Sequence, residues 1–362
     1  MDASLKQSSA DKIKILHIID TLSIGGAEKV LVTTINNLPE FEHHLIYLSS
    51  PEDFLPKINS DCRIFKLNWK TKLSLIGSVF KVRRYIRRNK IKIVHSQLAL
   101  ATVVARLACS KKVRLISTIQ NRPSKSYFSS SPILKFLENV LYRRRHYIIA
   151  VSKIVLDDYK ESIGLKGGVS ILNNFIEDKF FKSEIRESNH SGNLKLVAVG
   201  NLHYQKNYPY LIEVFKKLPS SISLDIYGWG NMKDQLQKEI DKYGLNINLC
   251  GVRDDLEKLL PKYDAMILAS HYEGNPLVVL EAMASGLPVI LSDIPSLREV
   301  SNGNALFFDK DNPKDLRKKL IALLNDEINL DEIAKVNLQR AEKIARKERY
   351  FTELKQLYLA DI

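Results

Sequence analysis

This 362-residue sequence contains little cysteine, and its three cysteines lie far apart. Cys62, Cys109 and Cys250 match neither a disulfide framework nor the spacing of a metal site. The polar N-terminal residues contain no apolar segment of a signal peptide, and the most apolar early helix, Ala99–Ala108, is short and includes Arg106. We therefore expect a cytoplasmic protein with no membrane-spanning segment and no bound metal.

Acidic residues are also absent from one long stretch. Between Cys62 and Leu137 there are 18 lysines and arginines but no aspartate or glutamate. Residues 1–180 hold 30 basic and 15 acidic residues, whereas residues 181–362 hold 25 and 26, so the excess positive charge lies in the first half. This distribution is typical of a first half that binds an acidic partner, although uneven surface charge without a function also produces it.

The densest basic segment, 81–92, contains Arg83, Arg84, Arg87 and Arg88. Apolar residues lie between these cations, and such a segment suits anionic lipid headgroups, which attract each nearby Lys or Arg by about 1 kcal/mol. Nucleic acid is the other acidic partner to consider, but no nucleic-acid-binding motif accompanies the segment. We expect peripheral binding at the inner face of the cell membrane and no nucleic acid.

Short apolar runs alternate with helical patterns along the chain, which predicts parallel sheets covered by helices on both faces. The alternation restarts after a polar stretch at 184–193, and 362 residues suffice for two domains. We predict two doubly wound, Rossmann-like α/β domains in tandem, with ligands at the carboxyl ends of the strands. The predicted strands are 13–19, 44–48, 63–67, 91–95, 115–119, 147–151, 194–200, 223–228, 247–251, 265–269 and 287–291.

The most informative segment, 272–290, reads YEGNPLVVLEAMASGLPVI and predicts a loop and a helix between two strands. Pro276 suits the first helical position because its missing N–H would be unpaired there in any case. The amides of Leu277, Val278 and Val279 would then point out of the positive end of the helix dipole. A phosphate can bind at such a helix start.

Two glutamates flank this helix start. A single glutamate is most often a solvated residue, but Glu281 lies in an apolar helix and needs a specific partner, such as the hydroxyls of a nucleotide ribose. Glu273 stands in the loop before the helix. The spacing Glu273-x7-Glu281, the opening Gly274-Asn275-Pro276 and the continuation EAMASGLPV resemble the retaining glycosyltransferases of family 4.

The resemblance extends from Lys12 to the last helix and implies the GT-B architecture, in which two Rossmann-like domains face a cleft. It implies an acceptor-binding domain at 1–180, a nucleotide-sugar-binding domain at 181–345 and a C-terminal helix, 346–362, that packs back on the first domain. The implied activity moves a sugar from a nucleotide sugar, which we take to be UDP-linked, to a hydroxyl of a lipid-diphosphate-linked glycan. Capsule, O-antigen or exopolysaccharide synthesis would use such a hexosyltransferase, without a cofactor.

The same resemblance implies roles for individual residues. Glu281 would hold the ribose hydroxyls, Glu273 would lie at the sugar, and Lys206 would carry diphosphate charge together with the helix amides. Gly25 and Gly26 follow the first strand like the glycine loop of the family, although an ordinary tight turn explains them equally well. The remaining donor-binding residues that the resemblance implies are Asn201, Gly274, Asn275, Pro276, Leu277 and Val278.

Two positions depart from the family pattern. Asn201 stands where relatives carry the arginine of a diphosphate clamp, which leaves Lys206 as the only cation of the clamp. Gln120, after the fifth strand, stands where relatives usually carry a histidine near the reacting centre, and an amide cannot exchange protons. His95, at the end of the fourth strand, could neighbour the acceptor, although we favour a structural role for it.

In this family the leaving phosphate is usually described as taking the acceptor's proton, which would explain the lack of an obvious base. Our predicted catalytic residues are therefore Glu273, Lys206 and Gln120, with no metal. Two alternatives remain open from the sequence. One is a nucleotide-sugar epimerase or glycan phosphorylase of the same fold, and the other is a basic nucleic-acid-binding protein without enzymatic activity.

Overall fold

A computed structural model describes residues 12–71, 74–126, 129, 131–181 and 192–360. Most of the predicted polar boundary at 184–193 lies outside the described residues. The described chain divides into two compact units. Unit 1 comprises the residues up to Val151, Val155–Ile171 and the residues from Leu354 onward, and unit 2 comprises Ser152–Ile154 and Leu172–Glu353.

Seven strands are found among the described residues of unit 1. They are β1 (Lys14–Ile19), β2 (Glu42–Tyr47), β3 (Arg63–Lys66), β4 (Ile93–Gln97), β5 (Arg114–Ile119), β6 (His146–Ala150) and β7 (Val169–Ile171). They form one sheet in the order β3-β2-β1-β4-β5-β6-β7, and every pairing is parallel. All five residues of β4 are buried, and side chains alternate between the two faces of a strand, so both faces of the sheet are covered here.

The helices of unit 1 connect these parallel strands. They are α1 (Gly26–Asn37), α2 (Ser74–Asn89), α3 (Ala99–Ala108), α4 (Pro132–Leu141) and most of α5 (Lys153–Ile163). Helix α3 packs against both α2 and α4. Because each helix returns the chain between parallel strands, the first turns of α2, α3 and α4 lie toward the carboxyl edge of the sheet.

Unit 2 repeats this architecture with six strands in its described part. They are β8 (Leu194–Val199), β9 (Ile222–Tyr227), β10 (Ile247–Gly251), β11 (Ala265–Leu268), β12 (Val289–Ser292) and β13 (Leu306–Phe308), in the order β10-β9-β8-β11-β12-β13. All of these strands are parallel as well. The strand order reverses between β1 and β4 in unit 1 and between β8 and β11 in unit 2, where doubly wound sheets bind their ligands.

The helices of unit 2 are α6 (Tyr208–Phe215), α7 (Lys233–Tyr243), α8 (Leu256–Leu259), α9 (Leu277–Ala284), α10 (Pro295–Ser301), α11 (Pro313–Leu324) and α12 (Asp331–Ile344). Helix α9 is buried at every position except Val278 and packs against α12. The last helix, α13 (Lys347–Leu359), begins in unit 2 and ends in unit 1. Within the described residues, no helix has both the length and the apolar character required to cross a membrane.

The end of α13 packs on the core of unit 1. The Tyr358 hydroxyl lies 2.6 Å from Nδ1 of His95, and Lys355 Nζ lies 2.8 Å from a carboxylate oxygen of Glu40. Tyr358 is fully buried, and its ring also packs edge-on against Phe41. The predicted fold class, two doubly wound domains followed by a C-terminal helix, is confirmed.

Candidate active site

Glu273 lies just after β11, beside the point where the strand order of unit 2 reverses. Its Oε1 accepts hydrogen bonds from Lys206 Nζ at 2.7 Å and from Ser270 Oγ at 2.6 Å, and its Oε2 accepts one from Gln205 Nε2 at 3.2 Å. Glu273 is only 5% exposed. Three donors from two loops therefore fix one buried carboxylate in a single orientation, and one of these donors compensates its charge.

Lys206 reaches Glu273 from the loop after β8. This loop packs tightly against Gly228 because glycine has no side chain. A Cβ on Gly228 would lie 2.0 Å from the carbonyl oxygen of Gly200, so no larger residue fits there without moving the backbone. The Tyr208 hydroxyl donates to the same carbonyl at 3.0 Å. Burial, with the Glu273 carboxylate nearby, raises the pKa of Tyr208 above its usual value, which keeps this phenol a donor.

The helix start predicted at Pro276 is shifted by one residue. Pro276 is the N-cap, in an extended conformation, and α9 begins at Leu277. The N–H of Val279 donates to the carbonyl oxygen of Pro276 at 3.2 Å, so the prediction that this amide points out of the helix end is wrong. The amides of Leu277 and Val278 donate to no residue in the described part of the chain. An anion at this helix end would therefore meet two N–H groups rather than three.

Two side chains that the sequence analysis did not identify hold the loop before α9. Ser152 Oγ donates to the carbonyl oxygen of Gly274 at 3.1 Å, and Asn174 Nδ2 donates to the carbonyl oxygen of Asn275 at 3.0 Å. Gly274 and Asn275 are themselves buried. These contacts fix the path of the loop that connects Glu273 to the start of α9. The only signal for them in the sequence is that each is a polar residue just after a predicted or short strand.

Glu281 lies in the second turn of α9 and is only 3% exposed. Its neighbours Leu280 and Ala282 are fully buried, as the apolar pattern of the segment predicts. A carboxylate in such a place requires compensation by donors. The structure thus places Glu281 and Glu273 at the two ends of one short segment of unit 2, with the helix start between them.

Asn201 is an exposed residue in the same loop as Lys206. Its carbonyl oxygen accepts the N–H of His203 at 2.8 Å, and His203 Nδ1 lies 2.8 Å from Oδ1 of Asn231. The loop is thus ordered by its own contacts, and residue 201 has room for a longer side chain. Lys206 remains the cation that the structure brings to Glu273.

In unit 1, the Gly25-Gly26 turn leads into α1, with Gly25 as its N-cap. A Cβ on Gly25 would lie 2.3 Å from a carboxylate oxygen of Glu28, so the glycine makes room for Glu28. Ser23 Oγ donates to Glu28 at 3.0 Å, and burial raises the pKa of this glutamate. Within unit 1, the turn is therefore shaped by a buried carboxyl group at the start of α1.

Gln120 follows β5 and donates through Nε2 to Oε1 of Gln97 at 3.1 Å. Gln97 is the last residue of β4, so two amides lie side by side at the carboxyl edge of the sheet. Asp20, which follows β1 at the same edge, accepts the Ala101 amide at 2.7 Å. Burial raises the pKa of Asp20 to about 6, although it accepts backbone N–H groups at the start of α3.

His95 occupies the middle of β4 rather than its end, and it is 1% exposed. Its Nε2 lies 2.7 Å from the Thr118 hydroxyl, while Nδ1 contacts Tyr358. Burial lowers the pKa of His95 to about 4, so the ring is neutral at physiological pH. Both ring nitrogens of His95 thus have partners within the protein, which agrees with the structural role that we favoured over a place beside the acceptor.

The four arginines of α2 are exposed. Arg83 donates through Nη2 to the carbonyl oxygen of Leu107 at 2.7 Å, near the end of α3. Arg87 and Arg88 lie in the last turn of α2, where the negative end of the helix dipole stabilises cations. Arg84, Arg87 and Arg88 thus present charge to solvent, whereas Arg83 also joins two helices.

In the described ranges, no group of three or more His, Cys, Asp or Glu side chains could hold a metal ion.

Known proteins resemble this chain in sequence and in fold. The family model described as Glycosyltransferase Family 4 matches residues 24–180, and the model described as Glycosyl transferases group 1 matches residues 180–342. An Escherichia coli relative named O-antigen biosynthesis glycosyltransferase WbnH is 28% identical over 326 residues, which are 88% of this chain and 92% of the relative.

A second relative is the Campylobacter jejuni N-acetylgalactosamine-N,N'-diacetylbacillosaminyl-diphospho-undecaprenol 4-alpha-N-acetylgalactosaminyltransferase. It is 26% identical over 330 residues, which are 85% of this chain and 89% of the relative. Among solved structures, Anabaena Alr3699/HepE in complex with UDP and glucose superimposes with a TM-score of 0.82 at 17% identity, covering 96% of this chain and 99% of that one.

Two parallel Rossmann-like sheets in tandem give this chain the GT-B fold, and the two family models assign it to the glycosyltransferases. The family models together match the chain from residue 24 to residue 342. The chain thus belongs to the families that these models describe, Glycosyltransferase Family 4 in its first half and Glycosyl transferases group 1 in its second.

Proposed function

We propose that this glycosyltransferase is a retaining, metal-independent hexosyltransferase that uses a UDP-sugar. Its acceptor would be a hydroxyl of a lipid-diphosphate-linked glycan in the synthesis of a surface polysaccharide. The names of the relatives support this choice, since one acts on a diphospho-undecaprenol-linked sugar and another in O-antigen biosynthesis. The Anabaena structure holds UDP and glucose, which supports a uridine nucleotide. Both relatives are named as transferases, which favours transfer over epimerisation or phosphorolysis.

The observation that carries the proposal is the arrangement around Glu273. Lys206 is fixed by its 2.7 Å contact with this carboxylate, and α9 begins four residues later with the amides of Leu277 and Val278. An ammonium group and two N–H groups are the donors that a diphosphate requires, and none of them depends on a metal. Glu281, buried in the next turn, would accept from the ribose hydroxyls.

In the proposed reaction, the bond between the anomeric carbon and the diphosphate oxygen breaks while the acceptor oxygen bonds to the same face of that carbon. The acceptor proton passes to the departing diphosphate oxygen, so no protein base is required. Gln120 would position the sugar or acceptor by hydrogen bonds, since its amide cannot take a proton. Lys206 and the two amides would stabilise the charge that develops on the leaving diphosphate, which is usually the largest contribution to such catalysis.

The acceptor lipid would bring the enzyme to the inner face of the cell membrane. Exposed Arg84, Arg87 and Arg88 support attraction to anionic headgroups. The excess positive charge in residues 1–180 complements the negative charge of a lipid diphosphate. We therefore assign peripheral membrane binding and acceptor binding to unit 1 and donor binding to unit 2.

The test is a transfer assay with purified protein, a panel of UDP-, GDP- and dTDP-sugars, and polyprenyl-diphosphate-linked acceptors. We expect turnover with a UDP-sugar, an anomeric configuration that NMR shows to be retained, and full activity in EDTA. An inverted product would contradict the retaining assignment. Loss of activity on chelation, with recovery on adding magnesium or manganese, would contradict metal independence. Release of free epimer without any acceptor product would favour the epimerase alternative.

A further inference from the structure

Helix α4 presents a stripe of large apolar side chains to solvent. Ile133, Phe136 and Val140 are 61%, 65% and 54% exposed, whereas Glu138 is 4% exposed. At about 100° per residue, these three apolar side chains lie roughly 140–160° around the helix from Glu138. The helix therefore turns its carboxylate inward and three large hydrophobic side chains outward. A surface helix normally buries its apolar stripe.

A buried polar cluster fixes this orientation. Arg106 of α3 pairs with Glu138 at 2.7 Å, with the two side chains 0% and 5% exposed. The Tyr159 hydroxyl of α5 donates to the other carboxylate oxygen of Glu138 at 2.6 Å. Rotating α4 to bury Phe136 would break this pair and leave a buried charge uncompensated, which is strongly unfavourable. The outward hydrophobic face is thus specified by the core of unit 1.

The charges around this face indicate what would cover it. Lys135 is exposed on the same helix, and Arg143, Arg144 and Arg145 are exposed directly after it. No acidic residue occurs from 62 to 137, and the first one after that stretch, Glu138, is buried in its ion pair. An apolar stripe flanked by cations complements a bilayer with anionic headgroups, because the side chains enter the acyl region while the cations meet the phosphates.

Helix α2 carries a second pair of outward apolar residues. Ile76 and Phe80 are 69% and 63% exposed and lie one turn apart in its first half. Both α2 and α4 pack against α3, and their first turns lie toward the carboxyl edge of the same sheet. The exposed apolar residues of α2 and most of those of α4 thus lie at the end of unit 1 where its ligand is expected.

We propose that the outer face of α4, formed by Ile133, Phe136 and Val140, inserts into the interfacial layer of an anionic lipid bilayer. This inference deepens the proposed function, since it assigns membrane binding to hydrophobic insertion at α4 in addition to electrostatic attraction at α2. Insertion would bring the carboxyl edge of unit 1 to the depth at which a lipid-linked diphosphate lies. The two contributions differ in their dependence on salt, because screening weakens attraction between charges but not burial of apolar surface.

The test compares wild-type protein with Phe136→Asn and with the triple variant Ile133→Asn, Phe136→Asn and Val140→Asn. Partitioning onto vesicles of phosphatidylglycerol and phosphatidylcholine is measured by co-sedimentation at about 0.15 M and about 1 M salt. We expect wild-type protein to retain binding in high salt and the triple variant to lose it, with about tenfold weaker partitioning for each side chain removed. Phe136→Leu should bind like wild type, and so should Ile321→Asn, which changes an exposed apolar residue of unit 2.

Titration with UDP shows whether each variant is folded, because the donor site lies in unit 2, and the melting temperature checks unit 1. If the triple variant unfolds, the single Phe136→Asn variant decides the question. Equal high-salt binding by variant and wild type would overturn the proposal. So would a wild-type dimer that the triple variant loses in light scattering, since a second copy would then cover this face. Vesicle binding as expected, without any sugar transfer, would leave this inference intact and overturn the proposed function alone.

Discussion

Lys206 Nζ lies 2.7 Å from Oε1 of Glu273, and the two side chains are only 14% and 6% exposed. A buried carboxylate without this partner would be strongly unfavourable, so each residue of the pair requires the other. The pair also restrains Lys206, which would otherwise be a flexible side chain in a loop. A diphosphate that reaches Lys206 would meet an ammonium group already oriented, and this arrangement lowers the cost of ordering it during the reaction.

The first prediction concerns that pair. Glu273→Gln keeps the size of the side chain but removes the charge that compensates Lys206. We expect turnover to fall about 100-fold, because the orientation of the lysine matters most when charge develops on the leaving group. The KM for the donor should change little, since Lys206 itself remains. Steady-state kinetics measures both quantities, with Glu239→Gln as a surface control. Unchanged turnover in a variant with the native melting temperature would show that Glu273 has no part in the reaction.

The second prediction separates donor binding from turnover. Glu281→Ala should weaken UDP binding about 10- to 100-fold, because a charged hydrogen-bond partner contributes roughly 1.5–3 kcal/mol. Isothermal titration calorimetry gives the dissociation constant. Glu213→Ala is the matched control, since it removes an exposed helical glutamate in the same unit. If both alanine variants bind UDP like wild type, the ribose assignment is wrong.

The third prediction tests the departure from the family pattern at Asn201. An arginine at this exposed position could pair with the diphosphate through two N–H groups, so Asn201→Arg should tighten UDP binding by about tenfold. Asn201→Gln, which adds length without charge, should leave the affinity unchanged. The same calorimetric titration compares the two variants. No gain with arginine would mean that another group already supplies the second charge.

The fourth prediction concerns the electrostatic part of membrane binding. Replacing Arg84, Arg87 and Arg88 by Gln should weaken binding to anionic vesicles about 100-fold at physiological salt, since each cation contributes about 1 kcal/mol. Arg83 is left in place because it bonds to Leu107 at the end of α3. The difference from wild type should disappear at about 1 M salt, where the Debye length is about 3 Å. UDP affinity should stay the same.

The control for this experiment removes an equal charge from unit 2, by replacing Lys233, Lys238 and Lys242 on α7 with Gln. That variant should sediment with vesicles as wild type does. If both triple variants lose the same affinity, net charge alone governs the binding and α2 has no special role. If neither loses affinity, the electrostatic assignment to unit 1 is incorrect.

The fifth prediction follows from the buried histidines of unit 1. His95 has a folded-state pKa of about 4, against 6.5 as its ordinary value, and burial also lowers the pKa values of His17 and His43. At these histidines the unfolded state binds more protons than the folded state between pH 6.5 and 4. Their contribution to the free energy of unfolding of unit 1 should therefore fall as the pH drops through this range, by about 3 kcal/mol for His95 alone, whereas the raised pKa of Asp20 acts in the opposite direction.

Urea unfolding followed by the fluorescence of Trp69, in a Trp229→Phe background, measures this dependence for unit 1. His95→Gln should reduce the slope with pH, and His203→Gln, an exposed change in unit 2, should not. A slope unchanged by His95→Gln would contradict the lowered pKa of His95 and would assign the pH dependence to other groups, among them the buried His17, His43, His44 and His146.

Most strands could be predicted from the sequence because they are buried on both faces and therefore read as continuous apolar runs. The strands that were not predicted, β7 and β13, have three residues each and lie at the edges of their sheets, so they have no periodic signal. Contacts between distant parts of the chain also have no local signal. At the start of α5, the amides of Lys153 and Ile154 donate to the Glu299 carboxylate at 2.7 and 2.9 Å.

The same distinction holds for the candidate site. Glu273, Glu281 and the helix start between them could be identified because their spacing is local. Gln205 and Ser152 could not, since each bonds to the 272–275 loop from a position 67 or more residues earlier in the chain. Pro276 was placed one position too far into the helix because a proline is compatible with both the N-cap and the first turn. Local sequence thus predicts the candidate site residues, whereas the residues that hold them in place depend on tertiary contacts.

The contact between Tyr358 and His95 also has a consequence for biosynthesis. Unit 1 includes the helical residues from Leu354 onward, whereas unit 2 is complete once residue 353 has been made. The ribosome therefore releases the first sheet long before the segment that covers His95 exists, and domains commonly fold in order of synthesis. Until residue 358 has been made, His95 lacks its contact with Tyr358. Unit 1 is thus completed after unit 2, and a stop codon directly after residue 353 would remove part of unit 1 rather than part of unit 2.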